Sequence, residues 1–269
     1  MPEGDTIHRA AATLDRAMAG KIVTSFETVF PLLARVDDQT PIAGRTIERV
    51  RAAGKNLLFD FSGDLHLRTH MRMNGSWHIY RPGEAWQKRR GDMRIVIATN
   101  DFVAVGFNIP IAEFLDERAL ARHDDLRKIG PDFLSDDFDE AEAKRRIRAR
   151  RPDEEIANVL LNQRVVAGIG NEYKSEVLFV SGVNPFRRVT EVTDEELDRI
   201  LTNARKLMRM NVGPDSGGSR RTVRSLDKKQ LLYVYGRGGD ACMTCGTKIE
   251  YRKQGEDARG TYWCPRCQE

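Results

Sequence analysis

Four cysteines constrain this chain more than any other feature, and all of them lie within its last 28 residues. They form two knuckles, Cys242-Met243-Thr244-Cys245 and Cys264-Pro265-Arg266-Cys267, with 18 residues between them. Two C-x-x-C pairs at this separation suit one tetrahedral zinc ion held by four thiolates. Four protein ligands close the coordination shell and leave no position for a reacting water, so the ion is expected to be structural. Between the knuckles, residues 248–252 and 261–263 read as two strands joined through Gly255-Glu256-Asp257, a zinc-bound β-hairpin. Redox-active cysteines are the alternative reading. No cysteine remains for a disulfide framework, which points to a reducing, cytoplasmic setting.

The chain has 269 residues, room for two domains with real cores. Its net charge of +4, from 44 basic and 40 acidic residues, is too small to announce a polyanionic partner. Distribution says more than the total. Between Arg199 and Lys229 nine basic residues face only two acidic ones, Asp215 and Asp227, which argues for a polyanion. Six of the eight residues from Lys144 to Arg151 are also basic, and a solvated helix face accounts for them equally well. No long apolar run and no basic-then-apolar start appears, so neither a membrane span nor a secretory signal is expected, and a membrane is not a partner.

Apolar Ile7, Ala10, Ala11, Leu14, Ala17 and Met18 recur at helical spacing before Gly20, predicting a first helix capped by Asp5 or Thr6. Short β-like runs follow at 22–30, 46–51, 56–61, 65–71, 76–80, 94–98 and 102–105, separated by turn signals such as Ser62-Gly63-Asp64 and Arg81-Pro82-Gly83. Many short strands at close spacing predict a β-sandwich or barrel. The expected class is α+β: an N-terminal helix and β-sandwich domain at 1–122, a linker at 123–134, a helical domain at 135–232, and the zinc hairpin at 233–269. Ile156, Val159 and Leu160 mark one helix and Tyr173, Val177 and Leu178 a second, with Gly168-Ile169-Gly170-Asn171 between them. The expectation is that Asn171 caps the second helix, whose N-terminal amides would make a phosphate site; two helices that merely pack are the alternative. A third helical run covers 193–210, and a flexible loop is expected at 212–219.

Candidate chemistry begins at Met1-Pro2-Glu3-Gly4-Asp5. Removing Met1 would leave Pro2 with a free secondary amine. A terminal amine has a reference pKa of about 7.7–8.0, against about 10.4 for lysine, so much more of it is unprotonated near neutrality. Such an amine can attack a sugar aldehyde carbon and form an iminium, an electron sink. Glu3 offers a carboxylate for acid–base work. A helix N-terminus just beyond would disfavour a protonated amine and favour a nearby carboxylate or phosphate. Ordinary capping explains Pro-Glu equally well. Lys55 follows a glycine at a strand start, where it could meet a phosphate or depress the amine's pKa. In 65–72 apolar Leu65, Leu67, Thr69 and Met71 alternate with His66, Arg68, His70 and Arg72. The Arg72-Met73 tip could wedge into a base stack. Arg259, near the hairpin tip, could reach a phosphate.

In order along the chain, these motifs resemble the bacterial formamidopyrimidine-DNA glycosylase/endonuclease VIII family. The matching residues are Pro2-Glu3-Gly4, Gly54-Lys55, Thr69-His70-Met71-Arg72-Met73-Asn74-Gly75, Ile129-Gly130-Pro131-Asp132, the segment 161–171, and 259–268. The resemblance implies a monomeric base-excision repair enzyme of the bacterial nucleoid that acts on damaged double-stranded DNA. It implies Pro2 as the nucleophile at the sugar C1′ and Glu3 as the acid–base group. Lys55, Asn171 and Arg259 would grip phosphates, and Arg72 and Met73 would fill the space left by the extruded nucleotide. β,δ-Elimination would then cut the strand. The segment 105–110 lacks the Arg-Arg-Phe-Gly loop of the formamidopyrimidine branch, and Pro2-Glu3-Gly4 resembles the endonuclease VIII branch, which favours oxidised pyrimidines. Met73 and the 212–229 loop resemble the other branch, which takes 8-oxoguanine. Thr6 and Asn162 stand where many members have glutamate and aspartate. The rival readings are a DNA-binding protein that keeps the clamp without the chemistry, and a zinc-ribbon RNA-binding protein.

Overall fold

A computed structural model describes residues 2–213, 219–223 and 230–269, which fall into two compact units, Met1–Lys128 and Ile129–Glu269. The first opens with helix α1 (Gly4–Met18). Ile7, Ala11, Leu14 and Met18 bury one face of it, as their spacing requires. The cap is Glu3, not Asp5 or Thr6: its backbone is extended and its carbonyl accepts from Ile7 N at 3.1 Å. The first turn therefore starts at Gly4, and Asp5 lies within it, where its charge still suits the dipole. Asp15 Oδ1 accepts from Val50 N at 2.7 Å and ties α1 to the sheet beside it.

Eight strands complete this unit: β1 (Ser25–Thr28), β2 (Ile47–Ala53), β3 (Asn56–Phe61), β4 (Leu65–His70), β5 (Ser76–Tyr80), β6 (Met93–Ala98), β7 (Val103–Phe107) and β8 (Ile111–Leu115). They form two antiparallel four-stranded sheets in the orders β1-β6-β7-β5 and β2-β3-β4-β8. Leu57, Phe59, Phe61 and Leu67 from one sheet share a core with Trp77, Ile95, Ile97 and Ala104 from the other, and with α1. Each such side chain, fully buried, contributes about 1.5–3 kcal/mol. This is the expected sandwich.

Five elements depart from the sequence reading. The 22–30 run shrinks to β1 because Pro31 opens helix α2 (Pro31–Gln39), in which only Leu33 is buried. β8 is an unforeseen edge strand paired to β4. Two short helices were also not foreseen: α3 (Glu117–Arg122) at the end of the region read as the sandwich domain, and α4 (Asp124–Arg127) within the segment read as linker. Asp116 caps α3 by accepting from Ala119 N at 2.6 Å.

The second unit contains α5 (Glu140–Arg148), α6 (Ile156–Leu161), α7 (Asn171–Ser181), α8 (Asp194–Arg209) and the hairpin strands β9 (Glu250–Gln254) and β10 (Arg259–Trp263). Ile147, Val159, Leu160, Tyr173, Val177, Leu178, Leu197, Leu201 and Leu207 form its core. α7 is buried on nearly all sides and ends at Gly182, whose φ of 71° is a left-handed cap. Thr193 and Glu196 close a capping box on α8. The basic run at 144–151 is largely spent on ion pairs: Arg145 and Arg146 with Glu142, Arg148 with Asp194, Arg150 with Glu154, and Lys144 with Asp198. Most of the loop read at 212–219, and much of the basic stretch after it, lies outside the described residues.

Candidate functional site

In the first unit, Pro2 and Glu3 stand directly ahead of α1. Glu3 is fully buried. A carboxylate at this position faces the positive end of a 15-residue helix, and the same field disfavours a cation on the neighbouring amine. The backbone thus places the Pro2 nitrogen and the Glu3 carboxylate side by side.

A basic cluster belongs to the same unit. Gly54, with φ of 57°, makes the tight turn between β2 and β3 that carries Lys55. Asn56 follows, and its Nδ2 donates to Ala53 O at 3.1 Å, closing the turn. The buried Arg68 donates from Nε to Asn56 Oδ1 at 3.0 Å, and its guanidinium also pairs with Glu113 and Asp125. Asn56 lies opposite His70 in the ladder. Burial, then the charges of Arg72, Arg68 and Lys55, push the His70 imidazole down to about 4, so it is neutral at physiological pH. His70 Nδ1 accepts from Arg72 N at 3.0 Å. Arg72 itself has φ of 49°, a left-handed backbone uncommon outside glycine. Gly75 closes this loop on Met71 O at 2.9 Å, and a Cβ there would sit 2.5 Å from that oxygen. Met71 points into the core, while Met73 at the tip is 57% exposed. Lys55 and Arg72 therefore meet in one electrostatic neighbourhood around His70.

In the second unit the segment between α6 and α7 is held by Gln163. Its Nε2 donates to Leu161 O and Ile169 O, both at 2.9 Å, and its Oε1 accepts from Gly168 N at 3.0 Å. Gly168 needs its φ of 102°. Gly130 packs so closely on this turn that a Cβ would lie 2.3 Å from Val165 O. Asn171 is not the cap of α7; the cap is Gly170, in extended backbone, and Asn171 is the first helical residue. Its side chain turns instead to the hairpin, donating from Nδ2 to Gly260 O at 2.8 Å. Its buried Oδ1 has no partner among the described residues.

Further polar contacts dock the hairpin. Lys174 Nζ donates to Thr261 Oγ1 at 2.7 Å, Thr261 donates to Gln254 Oε1 at 2.7 Å, and Gln254 donates to Glu155 and Pro185 O. Arg259 opens β10 opposite Gln254, next to the Gly260 that Asn171 holds. It is 44% exposed and engages Asp257 only loosely, at 3.5 Å. Asn171 and Arg259 are thus brought together, whereas the Gln254 and Lys174 contacts that fix them have no local signal in the sequence.

The four cysteines converge as expected. Cys242 and Cys267 sulfurs are 3.9 Å apart, and those of Cys245 and Cys264 are 3.5 Å apart. An ion bound tetrahedrally at about 2.3 Å from each sulfur would separate them by about 3.8 Å, so this cage fits zinc. Hydrogen bonds from Thr247 lower the Cys245 thiol to about 6, while burial raises Cys264 and Cys267. Gln268 supports the last knuckle, accepting from Cys264 N and donating to Val183 O, both at 2.9 Å.

A sandwich opening on Pro-Glu, a two-turn helix pair and a four-cysteine hairpin together define a class of DNA-repair protein. The formamidopyrimidine-DNA glycosylase N-terminal domain matches residues 1–131, its H2TH domain matches 129–223, and the zinc finger found in FPG and IleRS matches 239–269. The chain belongs to the formamidopyrimidine-DNA glycosylase family. It is 38% identical to a probable endonuclease 8 2 of Streptomyces coelicolor over the whole of this chain and 94% of that one. It is 36% identical to the DNA-(apurinic or apyrimidinic site) lyase Nei2 of Mycolicibacterium smegmatis, covering 100% and 99% of the two chains. The Escherichia coli endonuclease 8 is 31% identical, with full coverage of both. In fold, the chain matches the Lactococcus lactis Fpg solved with abasic-site DNA at a TM-score of 0.83 and 24% identity, covering both chains completely. No helix among the described residues is long and apolar enough to cross a membrane.

Proposed function

We propose that this chain is a bifunctional DNA glycosylase/AP lyase of base-excision repair that removes oxidised pyrimidines from duplex DNA. The observation that carries the reading is the Pro2-Glu3 pair immediately ahead of α1, with Glu3 fully buried. With Met1 removed, the Pro2 nitrogen attacks C1′ of the extruded nucleotide. The glycosidic electron pair leaves with the base, which takes up a proton. The nitrogen gives up its proton and its lone pair expels O4′, which takes a proton from Glu3, so the sugar ring opens to an iminium that acidifies C2′–H. Loss of that proton expels the 3′-phosphate, and a second elimination expels the 5′-phosphate, leaving a one-nucleotide gap. Glu3 moves the protons. Extrusion costs a few kcal/mol. Phosphate grips by Lys55, Asn171 and Arg259, and insertion of Arg72 and Met73 into the vacated space, offset it. We place the enzyme in the bacterial cytoplasm, at the nucleoid, as a monomer.

Several features favour the pyrimidine branch. Residues 105–110, which run from β7 toward β8, lack the Arg-Arg-Phe-Gly sequence, and the relatives named endonuclease 8 match the full chain. The test compares cleavage of a thymine-glycol duplex with that of an 8-oxoguanine duplex paired to cytosine. Faster cutting at thymine glycol, by tenfold or more (~1.4 kcal/mol of transition-state preference), is expected. The reverse order would assign the chain to the other branch.

A further inference from the structure

The sandwich also carries a histidine ringed by carboxylates that the repair chemistry does not use. His66 lies on β4 with its side chain 12% exposed. Its Nε2 is 3.2 Å from Glu117 Oε2 and 3.9 Å from Asp64 Oδ1. The three donor atoms all lie within 4.8 Å of one another. They come from separate places in the chain: the β3–β4 turn, β4, and the first residue of α3.

The far side of the ring fixes how it faces them. His66 Nδ1 is 2.7 Å from Asp60 Oδ1, and the other Asp60 oxygen accepts from Arg51 Nε at 2.7 Å. An ionised carboxylate can only accept, so Nδ1 carries the ring proton. Where Nε2 carries no proton, its lone pair is aimed at Asp64 and Glu117. This is the arrangement in which an outer carboxylate orients a ligating imidazole and raises its basicity. Left bare, that lone pair would face two anionic oxygens. Three carboxylates and one guanidinium surround the ring with an excess of two negative charges. A divalent cation cancels both charges, whereas a proton on Nε2 cancels one.

We propose that Asp64, His66 and Glu117 form a second metal site, for a divalent first-row cation, with Asp60 as the residue that orients His66. The donor set is one imidazole nitrogen and two carboxylate oxygens, with water completing the shell. Donors about 2.1 Å from a common ion lie roughly 3.0–3.5 Å apart. The His66–Glu117 distance already meets this; Asp64 Oδ1, 3.9 Å from Nε2, is held beside it by accepting from Glu117 N at 2.7 Å and keeps a lone pair for the ion. The set differs in kind from the four thiolates of the hairpin: hard oxygens admit Mn²⁺, which thiolates do not favour. The bound ion would pin the start of α3 to the sandwich.

Mn²⁺ is therefore the probe, added to full-length protein whose cysteine site holds zinc, with free Mn²⁺ read by its EPR signal. Wild type is expected to take up about one Mn²⁺ per chain saturably. His66→Ala and Glu117→Gln should each abolish that uptake, and Asp60→Asn should weaken it about ten- to a hundredfold. Glu117 has a side chain 72% exposed, so its substitution tests the site without threatening the fold. No saturable uptake by wild type, or uptake unchanged in both His66→Ala and Glu117→Gln, would overturn the proposal. So would a His66 ring that NMR shows protonated on both nitrogens and unmoved by added Zn²⁺, because a proton would then be the bridge.

Discussion

His70 shows how a single residue acquires a function that its neighbours in sequence do not announce. Alternation along β4 puts it on the polar face with His66 and Arg68, but only the ladder places it opposite Asn56 and beside the Lys55 turn. Burial first, and then the cationic surroundings that would grip a phosphate, keep its ring neutral. The folded imidazole titrates near 4, and the unfolded one near 6.5. Between those values the unfolded chain binds more protons, so stability rises with pH. His70's contribution is therefore present above about 6.5 and is lost as the pH falls toward 4. Urea midpoints should drop between pH 7 and pH 5, and the drop should shrink in His70→Gln, which keeps an acceptor for Arg72 N. An identical drop in the variant would assign the effect to other groups. Glu176 is a second case. A glutamate within a helix reads as solvated, yet this one is fully buried and accepts from the backbone amides of Tyr233, Val234 and Tyr235, each at 2.8 Å. Partners 57 to 59 residues away leave no local trace. The candidate nucleophile, by contrast, was named from the sequence alone, because an unblocked proline amine beside a glutamate and its place in the family motif can both be read without the fold.

Among the elements, those with strong periodicity were read well: β3 and β5 match their expected bounds, and α8 spans nearly all of the predicted 193–210. The elements missed are those that bury little. α2 buries only Leu33, and β8 is an edge strand whose residues are all half-buried, so neither shows a clean apolar stripe. The hairpin strands extend toward the turn beyond their predicted ends because ladder bonds continue to Gln254 and Arg259. That register sets Arg259 in place, and it depends on both the metal cage and the buried Thr261–Gln254 contact. A small hairpin of this kind draws much of its folding free energy from the ion. Chelating the zinc, or Cys245→Ser, should abolish duplex binding while circular dichroism retains the helical signal of α5 to α8. Undiminished affinity after verified zinc loss would remove Arg259 from the proposed clamp.

For the whole molecule, the sequence supported a sandwich, a helical domain, a structural zinc hairpin and a repair chemistry, because each rests on motifs that survive without knowledge of the fold. The supports it did not reveal are long-range: Arg68 fastening the Lys55 turn, Gln254 and Lys174 fastening the hairpin, and Asp60 turning His66. All of the proposed chemistry depends on one covalent event at Pro2 once Met1 is removed. Borohydride reduction during incubation with an abasic-site duplex measures that event directly. Protein lacking Met1 should be trapped as a covalent complex with DNA on a denaturing gel, and Pro2→Gly or protein retaining Met1 should not. Trapping that persists in both would move the nucleophile to a lysine, and processed protein that forms no adduct at all would contradict a lyase acting through Pro2.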